Sequence, residues 1–173
     1  MRGPMYRGKH ILVTLLPHNL SLGMPRRELK FPVQVEDWLV ELGNTISKPG
    51  SMTLIGSGAL LWHAAQRGIT EGLPENSMDV DSITDSDEIA RLCYEAIIGS
   101  EFERIHGWHV NLMPDSVLRE FPPDWRKRAS SKQYQRLSLE VPSPVDLLVP
   151  KFKRGEPRDH VHAAWAKRIG LLS

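Results

Sequence analysis

The chain has 173 residues, of which 40% are apolar and 25% charged, enough for one folded domain and too ordered a composition for wholesale disorder. A single cysteine, Cys93, excludes a disulfide framework and a four-cysteine zinc site, and no apolar run approaches the roughly 20 residues of a membrane span. The net charge of +1 conceals a basic stretch over 1–30, an acidic one over 31–100 and a basic one over 101–173. That pattern suits a metal beside an anionic ligand, and it equally suits ordinary solvated faces.

Residues 1–33 are punctuated by Pro4, Pro17, Pro25 and Pro32 and carry no sustained period. They read as a loosely ordered arm with a short strand near 10–16, and residues 34–173 as a single domain. Arg2, Arg7 and Lys9 precede a short apolar run, but Pro17 ends it and no small-residue cleavage site follows, so a cytoplasmic location is expected. Val35, Trp38, Leu39, Leu42 and Ile46 have helical spacing. Pro49-Gly50 breaks the chain, and Met52 to Ile55 reads as a buried strand leading through Gly56-Ser57-Gly58 into a helix over 59–67. After a loop comes a strand over 79–83. Asp85 with Glu88 makes a capping-box pattern for a helix over about 87–98.

Trp108 to Met113 reads as a third strand, Pro122 to Arg128 as a short helix, and Gln135 to Val141 as an alternating strand. Ser143-Pro144 suits the start of a helix, which Pro150 interrupts or kinks. Arg158 to Ile169 reads as the last helix. The predicted class is α/β (α+β), a small mixed sheet flanked by helices.

Three pieces carry candidate chemistry. Gly56 and Ser57 sit between a strand and a helix, where backbone N–H groups and the positive helix end can receive a phosphate; an ordinary turn has the same look. Asp79 and Asp81 alternate along a strand, so both carboxylates leave one face about 6.5–7 Å apart, a spacing that Mg²⁺ can bridge. Lys151, on a helix, could offset triphosphate charge, or simply snorkel to solvent. His160 and His162 are two apart and do not share a helix face, which argues against a zinc pair. Arg119, Arg126, Lys127, Arg128, Lys132 and Arg136 could follow an RNA backbone, with Trp125 and Tyr134 as aromatic neighbours, or form a solvated face.

In this order the pieces resemble the nucleotidyltransferase superfamily, and most closely its minimal, toxin-like branch of abortive-infection and toxin–antitoxin systems. The resemblance spans about 36–168 and rests on the Gly56-Ser57 turn, Ser77 two residues before Asp79-Val80-Asp81, Lys151 and Arg158-Asp159. It implies a nucleotidyltransferase-like fold in which Gly56, Ser57, Ser77 and Lys151 bind a nucleoside triphosphate. Asp79 and Asp81 would hold Mg²⁺ (or Mn²⁺), and Asp79, Asp81 and Lys151 would be catalytic. The implied acceptor is a tRNA, another RNA or a protein, with a cognate partner protein as a further expectation and no membrane partner. The chain departs from the family in carrying Asn111 where many members have a third carboxylate. That leaves a second reading open: a degenerate fold that binds nucleotide, RNA or a protein without turnover.

Overall fold

A computed structural model describes residues 28–172. The strand expected near 10–16 lies outside them. Six helices and five strands follow one another as α1 (Pro32–Thr45), β1 (Gly50–Ile55), α2 (Gly56–Gln66), β2 (Asp79–Ile83), α3 (Asp87–Tyr94), α4 (Glu101–His106), β3 (His109–Leu112), β4 (Ser130–Tyr134), β5 (Leu137–Val141), α5 (Pro144–Arg154) and α6 (Pro157–Arg168). Short 3-10 turns cover Asp115–Glu120 and Trp125–Arg128.

The strands form one mixed sheet in the order β3-β2-β1-β5-β4. β1 runs antiparallel to β2 and parallel to β5, β2 is parallel to β3, and β4 and β5 form an antiparallel hairpin. The expected mixed sheet flanked by helices is the observed architecture.

Side-chain alternation divides the sheet into two unlike faces. Met52, Leu54, Val80, Val110, Leu137, Leu139 and Val141 point to the helical layer and are buried. Trp38, Leu39 and Leu42 of α1 and Leu60, Leu61 and Trp62 of α2 complete that core. Gly58 lets α2 approach closely, because a Cβ there would sit 3.3 Å from both methyls of Val80. The other face is largely polar, with Ile55 and Ile83 buried among its polar residues. The register pairs Ile55 with Asp81, Thr53 with Ile83 and Glu140, and Asp81 with Asn111. Asp79, Asp81, Thr53, Glu140 and Asn111 therefore share the face that the helices leave open.

Several boundaries differ from the sequence expectation for local reasons. The helix read over 87–98 ends at Tyr94, and Glu101–His106 forms a separate helix that was not foreseen. α3 is capped by Ser86, whose hydroxyl accepts from the Ile89 N–H, not by Asp85. Glu88 instead accepts from the Ser47 and Lys48 N–H groups. The strand read from Gln135 is the second arm of a hairpin turning at Gln135, which has φ 51°. Pro150 stays inside α5 without ending it. Leu29 is fully buried and exchanges backbone hydrogen bonds of 3.1 and 2.9 Å with Ser77, tying the chain ahead of α1 to the entry of β2. No helix among the described residues is long and apolar enough to cross a membrane.

Candidate active site

The Gly56 turn is where the sheet delivers its chemistry. Gly56 has φ +70°, and a Cβ on it would lie 2.5 Å from Asp81 Oδ2. Only glycine allows this backbone to pass so close to the carboxylate. No side chain caps α2, in contrast to the serine caps of α3, α4 and α5. The N–H groups of its first turn are thus left for an incoming anion.

Asp79 and Asp81 lie on the same face of β2. Asn111 donates one side-chain amide to both, at 2.9 Å to Asp79 Oδ2 and 3.3 Å to Asp81 Oδ1. Ser77 is buried, and its hydroxyl donates to Asp79 Oδ1 at 3.1 Å, so it orients Asp79 and does not itself face the open side. Burial raises the Asp81 pKa, and the neighbouring charge of Asp79 raises it further. The pair is a concentration of negative charge that Asn111, Lys151 and Arg154 offset only in part.

A basic group stands across the turn. Lys151, 6% exposed, donates to Ser57 Oγ at 3.2 Å and to Asp159 Oδ1 at 3.0 Å. Arg154 donates to both oxygens of Asp159, at 2.9 and 2.7 Å. Burial lowers the Lys151 pKa, against the pull of Asp159. Desolvation works to raise Asp159, but the hydrogen bonds from Arg154 and Lys151 outweigh it and hold its carboxyl at about 2. The charges of Lys151 and Arg154 also act on Asp81.

Ser57 belongs to a third network. His162 is fully buried; its Nε2 lies 2.9 Å from the Glu75 carbonyl oxygen and its Nδ1 3.0 Å from Ser57 Oγ. A carbonyl only accepts, so Nε2 carries the proton. In the neutral ring Nδ1 then accepts the Ser57 hydroxyl proton. Burial lowers the His162 pKa, which favours that neutral form. Ser57 therefore accepts from Lys151 and donates to His162, and its side chain is fixed from both sides.

The structure brings Gly56, Ser57, Asp79, Asp81 and Lys151 to one edge, with Ser77 behind Asp79. Arg154 and His162 were missed in the sequence. Arg154 follows Lys151 by three residues and His162 follows Asp159 by three, the helical spacing that puts each on its neighbour's face. Asking which side chains share the Lys151 and Asp159 faces would have found both.

The basic stretch is largely engaged. Arg126 pairs with Glu140, Arg128 with Asp124 and Asp146, and Lys132 with Glu36. Trp125 and Tyr134 are 4% and 5% exposed, so neither offers a face for base stacking. Burial pushes the Cys93 thiol up to about 12, which removes it as a nucleophile.

The donor set suits a hard divalent cation. Two carboxylates on one face supply anionic oxygen ligands, and Mg²⁺ takes one or two carboxylates and completes its shell with substrate phosphates and water. Among the described residues no three His, Cys, Asp or Glu side chains converge as a metal cage.

Comparison with curated proteins and with solved structures gives no match. Residues 34–166 match a family model described as a nucleotidyltransferase of unknown function, DUF6036, and the matched span holds every residue of the Gly56 edge. The chain therefore belongs to this nucleotidyltransferase family.

Proposed function

We propose that the protein is a Mg²⁺-dependent nucleotidyltransferase that moves a nucleotidyl group from a nucleoside triphosphate to a hydroxyl of an RNA, such as a tRNA, or of a protein. The observation that carries this reading is the single edge on which Asp79 and Asp81 oppose Lys151 and Ser57 across the Gly56 turn. Asp79 and Asp81 would hold Mg²⁺ or Mn²⁺, whose chemistry there is charge neutralisation at the α-phosphate. The uncapped N–H groups of α2 receive the β- and γ-phosphates, and Lys151 and Arg154 offset their charge. Ser57 holds Lys151 in place. In-line transfer needs chiefly positioning and electrostatic stabilisation, and these groups supply both.

The likeness to toxin-type members supports a toxin–antitoxin role with a cognate partner protein. Growth arrest on expression, relieved by co-expression of a genetically adjacent protein, tests it. The direct test of activity is incubation with each radiolabelled triphosphate, MgCl₂ or MnCl₂, total RNA and total protein. Label on a macromolecule that requires Asp79 and Asp81 supports the proposal; no label with any triphosphate removes it.

One observation favours a second reading. Asn111 stands between the carboxylates as a donor, and an amide is no base. A site built this way could bind Mg²⁺ and nucleotide without turnover. Tight nucleotide binding with no transfer identifies that case.

A further inference from the structure

The open face of the sheet continues from Asp81 into a second feature. A cleft of about 560 Å³ lies over β1 and β5, walled by the Asp115–Glu120 turn and by Arg126. Its volume is that of a small-molecule or short-peptide site. Thr53 lies on its floor. Asp81 is the pairing partner of Ile55, two residues from Thr53 on the same face, so Thr53 and Asp81 are diagonal neighbours about 7–8 Å apart. A molecule seated on Thr53 needs to reach past the cleft by about that distance to present an oxygen to a phosphate held at the Asp pair.

The lining has a definite chemistry. Thr53 is 9% exposed and lines the cleft, and its hydroxyl, which makes no hydrogen bond to another described residue, is open to a molecule there. Ser131 and Ser138 add two more unpartnered hydroxyls from β4 and β5. The charged lining is Asp85, Asp115 and Glu140 against Arg126 alone, three carboxylates to one guanidinium. Arg126 is already paired with Glu140 at 3.4 Å. Asp79 and Asp81 do not line the cleft but share its sheet face next to Thr53, and with them the local field is negative. A nucleic acid backbone would be repelled, because its binding depends on cations that neutralise phosphates.

The geometry points to this cleft as the acceptor site, and to an acceptor that is a neutral or cationic hydroxyl compound without phosphates. This rests on the nucleotidyl-transfer reading and narrows it away from RNA. In the step, the acceptor oxygen forms a bond to the α-phosphorus, the bond from that phosphorus to the pyrophosphate oxygen breaks, and the hydroxyl proton passes to water. Thr53 and the serines position the acceptor by hydrogen bonds.

The test uses the full chain with Mg²⁺ and radiolabelled triphosphate, offered an Arg-Ser-Arg peptide, 2-amino-2-deoxyglucose or total RNA in separate reactions. Nucleotide affinity is measured alongside by calorimetry. Label is expected on the peptide or the amino sugar, the two arms separating a protein side chain from a free polyol. Thr53→Val, close in shape, should raise the acceptor KM about tenfold, the worth of one good hydrogen bond. The exposed Asp115→Lys should raise it further for the cationic acceptor. Both variants should leave nucleotide affinity unchanged. Label on RNA, label on neither cationic acceptor, or variants that shift nucleotide affinity and acceptor KM together would overturn the assignment of the cleft. Loss of Mg²⁺-dependent nucleotide binding in the wild type would instead overturn the reading beneath it.

Discussion

Replacing His162 with alanine strands two polar groups at once. His162 accepts from Ser57 Oγ at 3.0 Å and donates to the Glu75 carbonyl at 2.9 Å, and its side chain is fully buried. At about 1–3 kcal/mol for each partner left unsatisfied, partly relieved by entering water, the cost is about 3 kcal/mol, or a fall in Tm of roughly 6–12 °C for a chain of this size. His162→Gln is the informative companion. Its amide can donate to Glu75 and accept from Ser57, so it should retain at least half of the lost stability. Thermal and urea unfolding of the three proteins measure this. The pH dependence adds a separate signature. Burial holds the folded His162 below the ordinary histidine pKa, so below about pH 6.5 the unfolded chain binds more protons than the folded one and stability falls as pH falls. His63 and His106 are shifted the same way by burial, so the Gln variant should lose part of the slope, not all of it. A His162→Ala protein within about 2 °C of wild type, given the 2–4 °C expected per kcal/mol, would refute the proposed network.

Gly56→Ala should destabilise by about 1–2 kcal/mol for the left-handed backbone, with the Asp81 carboxylate, 2.5 Å from the added Cβ, forced to shift; urea unfolding reads it, and a neutral result contradicts the left-handed conformation. Asp81→Asn should leave the metal-free protein as stable or more so, since burial and Asp79 both disfavour its charge; a lower Tm in EDTA would count against that field. Asp159, held at about 2, contributes stability that is present above the ordinary carboxylate pKa and is lost as pH falls toward 2; Asp159→Asn should flatten acid unfolding over that window in a pH titration followed by circular dichroism. Lys151→Ala should weaken triphosphate binding more than monophosphate binding in calorimetry; equal losses would remove it from the β/γ end.

The helical spacing of α1 and the alternating carboxylates of β2 made those elements legible, because each buries one regular face, whereas β1 and α2 were legible as short apolar runs buried almost throughout. Val80 inward with Asp79 and Asp81 outward is the arrangement that alternation demands, and the register with Ile55 then puts Asp81 at the Gly56 turn. β4 was not legible. Ser130 to Tyr134 buries only Tyr134 fully, so no apolar alternation marks it. The α3–α4 break was hidden because Ile89, Leu92, Cys93 and Ala96 continue a helical spacing past Tyr94, although Ser100 caps a new helix. His162 escaped for a different reason. A histidine was weighed as a metal ligand, whereas here it is a buried hydrogen-bond partner whose two contacts, Ser57 and Glu75, are 105 and 87 residues away. Only tertiary structure puts them together.

The central claim is that Asp79 and Asp81 form a cation site coupled to a triphosphate held across the Gly56 turn. Calorimetry of the full chain with MgCl₂ and each nucleoside triphosphate, separately and together, tests it most directly. Two carboxylates beside a triphosphate repel it until a divalent cation intervenes, so binding should be weak for either alone and tight for both. The double variant Asp79→Asn, Asp81→Asn should keep its fold and lose that cooperativity. Triphosphate binding of equal strength with and without Mg²⁺, or cooperativity that survives in the double variant, would contradict the account.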